Sequence, residues 1–116
     1  MNELSTEFAL MKEDLFSLFK QQLKKDFESS SLGTDFIAAL PAEFYRLRQT
    51  VMDELKPVFK SQLNALQTLL YRIDVSEKQL LDYTKQHPDL RYEEVVAELI
   101  IKRILQKVIL KKRFSA

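Results

Sequence analysis

Only one glycine, Gly33, occurs in the 116 residues of this chain, and that scarcity limits the fold more than any other feature. Tight two-residue hairpins and glycine-built phosphate loops both need backbone conformations that glycine supplies, so neither a hairpin-rich sheet nor a nucleotide-cradling loop is expected. Apolar residues recur instead at steps of three and four, the period of helices covered on one side. The sequence therefore predicts an all-α fold: one helical domain over 1–116, a four-helix, bundle-like arrangement. Its 46% hydrophobic and 30% charged residues are those of a soluble globular chain long enough to bury one core.

The first helix is expected over residues 3–28. Leu4, Phe8, Met11, Leu15 and Leu18 form a one-sided stripe, and Phe16, Phe19, Leu23 and Phe27 extend it onto an adjoining face. Ser29-Ser30-Ser31-Leu32-Gly33 ends the helix, with Gly33 placed for a left-handed cap. Thr34 or Asp35 caps a short turn through Leu40, and Pro41 suits a helix start. A long apolar phase from Phe44 to Ile73 then runs through Pro57. A proline inside a helix removes one backbone hydrogen bond and crowds the preceding turn, so a kinked long second helix is predicted. At Val75-Ser76-Glu77-Lys78-Gln79-Leu80, Ser76 and Gln79 have capping-box spacing and Val75 can staple against Leu80. That third helix runs to His87, where Pro88 stops it. Asp89 is expected to cap the last helix, roughly 90–113.

The C-terminal helix is very apolar. Eleven of the sixteen residues from Val95 to Leu110 are apolar, more than one covered side requires. Two accounts fit: burial as the central helix of the bundle, or a face that meets a second copy or another protein. The candidate interaction face comprises Leu99, Ile100, Ile101, Ile104, Leu105, Val108 and Leu110. Residues 99–116 also carry six basic groups and no acid, whereas the rest of the chain is mildly acidic. Arg103, Lys107, Lys111, Lys112 and Arg113 form a candidate basic ridge. It could track the phosphates of a nucleic acid, lie on anionic lipid, or complement the helix dipole.

Catalytic chemistry finds little to stand on. Without cysteine there is no disulfide framework and no thiolate nucleophile, and the one histidine, His87, sits at a helix end. A carboxylate-bridged di-iron bundle needs Glu-x-x-His pairs, and Thr84 stands three residues before His87. Zinc-ligand spacing is missing as well. Glu94 and Glu98 lie four apart, with Glu93 nearby, and solvated pairing of Glu98 with Lys102 accounts for them. A pocket gathering these carboxylates with Tyr92 and a basic group would be the sign of an enzyme.

His87-Pro88-Asp89 resembles the three-residue signature of the J-domain co-chaperones, where it lies between two helices and engages a partner chaperone. That family has a longer basic helix before the motif and a loop after it. Here the preceding helix is short and carries Glu77 and Asp82, and a helix stop followed by a cap accounts for all three residues. The start of the chain has no apolar signal segment, and no apolar run is long enough to span a bilayer. The expectation is a cytoplasmic, non-catalytic interaction module without cofactor or metal. It would associate with itself through the C-terminal helix, with nucleic-acid binding through the basic segment as the alternative.

Overall fold

The structure, a computed structural model, describes the backbone of residues 3–114 and the side chains of 6–114. Those residues form six α-helices and one short 3-10 turn: α1 (Glu3–Leu10), α2 (Glu13–Ser29), the turn Ile37–Ala39, α3 (Phe44–Ser61), α4 (Leu63–Arg72), α5 (Glu77–Gln86) and α6 (Tyr92–Phe114). No strand occurs among the described residues. The expected four main helices are recognisable, with the first two each interrupted once.

The first interruption is not marked by proline or glycine. Lys12 takes extended backbone (φ −83°, ψ 119°), and Glu13 and Asp14 follow it in the first turn of α2, where carboxylates favour a helix start. The redirection turns Ala9 and Leu10 into the core and leaves Phe8 and Met11 outside. The stripe read from the sequence is therefore mostly a surface feature. Phe8, Met11 and Leu18 are exposed, Leu15 is buried, and the side chain of Leu4 lies outside the described residues. The adjoining face supplies the core instead, through Phe19, Leu23 and Phe27.

Pro57 lies inside α3, and the long second helix changes direction one turn later. The proline deprives one carbonyl of its donor, yet α3 continues to Ser61, whose hydroxyl donates to the Pro57 carbonyl (3.0 Å). Gln62 (φ −134°, ψ 40°) is the single residue between α3 and α4. Pro41 does not begin a helix: α3 starts three residues later, where the Glu43 carboxylate accepts from the Tyr45 and Arg46 amides.

Two helix ends close in left-handed caps, neither on glycine. Ser31 (φ 63°) and Asp74 (φ 61°) take that conformation, whereas Gly33 has no positive φ. In both, the next amide reaches back five residues, Leu32 to Phe27 and Val75 to Leu70, which satisfies orphan carbonyls at the helix end. The chain turns where those bonds form, two residues before the glycine. The Ser76–Gln79 capping box is present with both hydrogen bonds. Asp89 falls short of α6. The amide of Arg91 bonds instead to Glu94 three residues on, and Val95 begins the helical bonding to the Arg91 carbonyl.

α6 runs through the middle. At about 1.5 Å per residue its 23 residues span most of the 39 Å long axis, and it packs against α2, α3 and α5. With neighbours on three sides it can be apolar nearly all round without exposing that surface.

Candidate interaction face

The residues expected to meet a partner divide sharply. Ile100, Ile101, Ile104 and Leu105 have no exposed surface and Val108 only 4%, because α2, α3 and α5 cover them. Leu99 is half-buried, lining a cleft between α5 and α6, and Leu110 is 43% exposed near the helix end. Five of the seven candidate contacts are thus core side chains of the single chain, and among the seven only Leu110, in the last turns of α6, is exposed.

Four of the five residues of the basic ridge are engaged by acceptors of this chain, with Lys111, Lys112 and Arg113 on the surface. Arg103 donates from Nε to the Ile73 carbonyl at the end of α4 (2.9 Å) and from a terminal nitrogen to Gln106 (2.8 Å). Lys107 reaches the buried Asp26 at 3.2 Å, and Lys111 donates to Gln22 (2.8 Å). Lys112 pairs with Asp14, holding that carboxyl below the usual range. Arg113 stands exposed on the last turn.

Apolar exposure concentrates elsewhere. Phe8, near the end of α1, and Met11, on the turn that joins α1 to α2, are 65% and 72% exposed. Phe8 is the ridge between two adjoining depressions. One, of about 250 Å³, is walled by Phe8, Met11, Ala42 and Phe44 and edged by Glu7 and Glu43. The other, of about 680 Å³, lies between α2 and the end of α6, floored by Leu15 and Ile109 and edged by Lys12, Asp14, Lys112 and Arg113. The first thus carries two negative charges and the second a net two positive. Tyr45, itself half exposed, stacks edge-on against Phe44 and continues the apolar surface (ring centroids 5.4 Å apart).

A second cluster, where α3, α5 and α6 meet, gathers polar groups the sequence kept apart. The buried Glu98 accepts from Arg48 of α3 (2.8 Å) and from the Tyr83 hydroxyl of α5 (2.6 Å). That hydroxyl in turn accepts from Lys102 (2.7 Å), so the expected Glu98–Lys102 pair is relayed through Tyr83 inside the protein. Arg48 also faces Glu94 (3.4 Å). Bonding to the Arg91 amide, helped by the Arg91 and Arg48 charges, holds the Glu94 carboxyl below its usual range. His87 stacks on Tyr83 (4.1 Å between rings) as the C-cap of α5, so the tripeptide His87-Pro88-Asp89 marks a helix end. Tyr92, the tyrosine the sequence placed with these carboxylates, packs instead against Phe59.

Asp26 is the counterpart on the opposite flank of α6. Fully buried, it accepts from Arg72 of α4 (3.0 Å), Lys107 of α6 and Gln22 (3.1 Å). Each buried carboxylate therefore ties α6 to two other helices, with charged donors offsetting its desolvation. Neither was visible beforehand, because the charged partners lie 46 to 81 residues from Asp26 and 50 from Glu98.

Among the described residues no three side chains are grouped to hold a metal ion, and no helix is long and apolar enough to cross a membrane. No family model, curated protein or solved structure matches this chain.

Proposed function

We propose that this protein is a small non-catalytic interaction module whose contact face is the Phe8–Met11 turn and the depressions on either side of it. The observation that carries this reading is the exposure of two adjacent large apolar side chains, Phe8 and Met11, in a chain that encloses Phe19, Phe27 and Phe44 almost completely. Clustered apolar exposure bordered by charge is the usual composition of a contact site. The end of α6 takes part through Ile109 and Arg113, so the C-terminal helix contributes its last turns and not its middle.

Two features favour binding over catalysis and over phosphate tracking. The Glu98–Tyr83–Lys102–Arg48 cluster is bonded internally and joins three helices, the work of a structural tie. The cations at 103, 107, 111 and 112 each meet an acceptor of this chain, which weakens their pull on a nucleic-acid backbone.

Photo-crosslinking tests the face directly. A benzophenone amino acid replaces Met11 in one variant and Tyr71, 86% exposed but on α4, in another. Protein adducts formed at position 11 and not at position 71 are expected. Equal yields at both positions, or none at position 11, would overturn the reading.

A further inference from the structure

We infer that the occupant of this face is a second copy of the same chain, paired about a two-fold axis that lies along the Phe8 ridge. The inference rests on the reading of the face above and adds its partner and geometry.

The argument is one of self-complementarity. A two-fold axis lying in the contact plane along a ridge brings the left side of one copy over the right side of the other, twice. Here the left side is the depression edged by Glu7 and Glu43, and the right side is the depression edged by Lys12, Lys112 and Arg113 against Asp14. Two negative charges on one side meet a net two positive on the other, so both halves of the contact are matched at once. Glu7, Lys12 and Arg113 make no ion pair within the chain among the described residues, so their charges remain available across the interface. The two Phe8 side chains meet near the axis, with Met11 alongside.

Size sets what must be covered. A stable pair typically needs about 800 Å² per protomer, about a ninth of this chain's 7069 Å² of accessible surface. Phe8 and Met11 alone fall short of that, whereas the ridge with both depressions spans α1, the start of α2, the start of α3 and the end of α6. The apolar centre supplies affinity, and the charged edges fix orientation and exclude the arrangement with the two-fold axis across the ridge, in which like would face like.

The test is charge exchange read by light scattering over a concentration series. The wild type is expected to pass from 13.7 kDa to twice that mass. One variant carries Glu7→Lys; the other carries Lys12→Glu with Arg113→Glu. Alone, Glu7→Lys cancels the net charge of its side, and the double variant sets two negative charges against two in both halves of the contact, so each dissociation constant should rise at least about tenfold. Mixed one to one, one half of the contact regains two negative charges against a net two positive and the other half loses its repulsion, so the heavier species should return as a heterodimer. That recovery also demonstrates that both variants are folded. A mixture no heavier than its components, or a wild type that stays at one chain throughout, would overturn the inference. The two proposals fail differently. Crosslinks from position 11 to other proteins, with a monomeric chain, remove the second copy and keep the face. No crosslinks at position 11 remove both.

Discussion

The middle of α6 and the turn between α1 and α2 carry large apolar side chains at similar helical spacing, yet one ends inside and the other outside. Ile100, Ile101, Ile104 and Leu105 are fully enclosed, while Phe8 and Met11 keep more than half of their surface. Apolar character does not separate them; the number of neighbours does. α6 has α2, α3 and α5 packed along it, whereas the main contacts of α1 are with α2 and α3, which leave Phe8 uncovered. Polar residues follow the same rule. Glu98 and Asp26 are buried because charged donors from other helices reach them. What a helix in this fold buries is decided by its place in the packing, and residues left over on a peripheral helix become available for contact.

The largest effects should come from the central helix. Ile104→Ala removes a fully enclosed side chain and should cost about 2–5 kcal/mol of unfolding free energy. Phe8→Ala, although it deletes a larger side chain, should change the stability of the single chain by less than about 0.5 kcal/mol. Denaturant titrations at low protein concentration check both, with the difference between the midpoints as the readout. Comparable losses would mean that Phe8 is covered by its own chain and the contrast fails.

The sequence made parts of this contrast legible. One-sided periodicity located the helices, the Ser76–Gln79 spacing located the start of α5, and the density of apolar residues singled out α6. These signals are local, set by 3.6-residue geometry and by capping groups three residues apart. The sidedness of α1 and α2 was not legible. A stripe through Phe8, Met11 and Leu18 and another through Phe19, Leu23 and Phe27 have the same period, and only the turn at Lys12 decides which faces inward. That turn has no proline or glycine to announce it. The candidate face was hidden for a second reason: its walls come from residues 7–15, 42–44 and 109–113, brought together by tertiary packing alone.

The second prediction concerns the ties that hold the central helix. Arg48→Ala removes the guanidinium that bonds the buried Glu98 at 2.8 Å and leaves that carboxylate with the Tyr83 hydroxyl as its remaining neutral donor. Stranding a buried charge costs about 3–5 kcal/mol at the upper end, less where water can enter, and Arg48 is itself partly exposed. Pairing Arg48→Ala with Glu98→Leu removes both partners and should restore a good part of the loss, because no charge is then stranded. An Arg48→Ala variant as stable as the wild type would show that Glu98 does not depend on α3. The cost of separating α6 from its neighbours would then lie in apolar packing alone.

The smallest expected effect sharpens the comparison by touching neither region. A Cβ added at Gly33 meets no atom within 4 Å, and the residue does not have a positive φ. Gly33→Ala should therefore raise stability by about 0.4–1 kcal/mol through the entropy of the unfolded chain. Ser31, two residues earlier, occupies the left-handed position at φ 63°, where a side chain is disfavoured, so Ser31→Gly should gain a few tenths to about 1 kcal/mol. Moving the glycine from 33 to 31 combines two small gains, read as a thermal midpoint higher by several degrees. Light scattering on this doubly substituted protein should give the same mass at each concentration as the wild type, because the Phe8 face is unchanged. An association constant that moved with the added stability would mean that copies join by exchanging helices as they unfold, and not by laying one finished face against another.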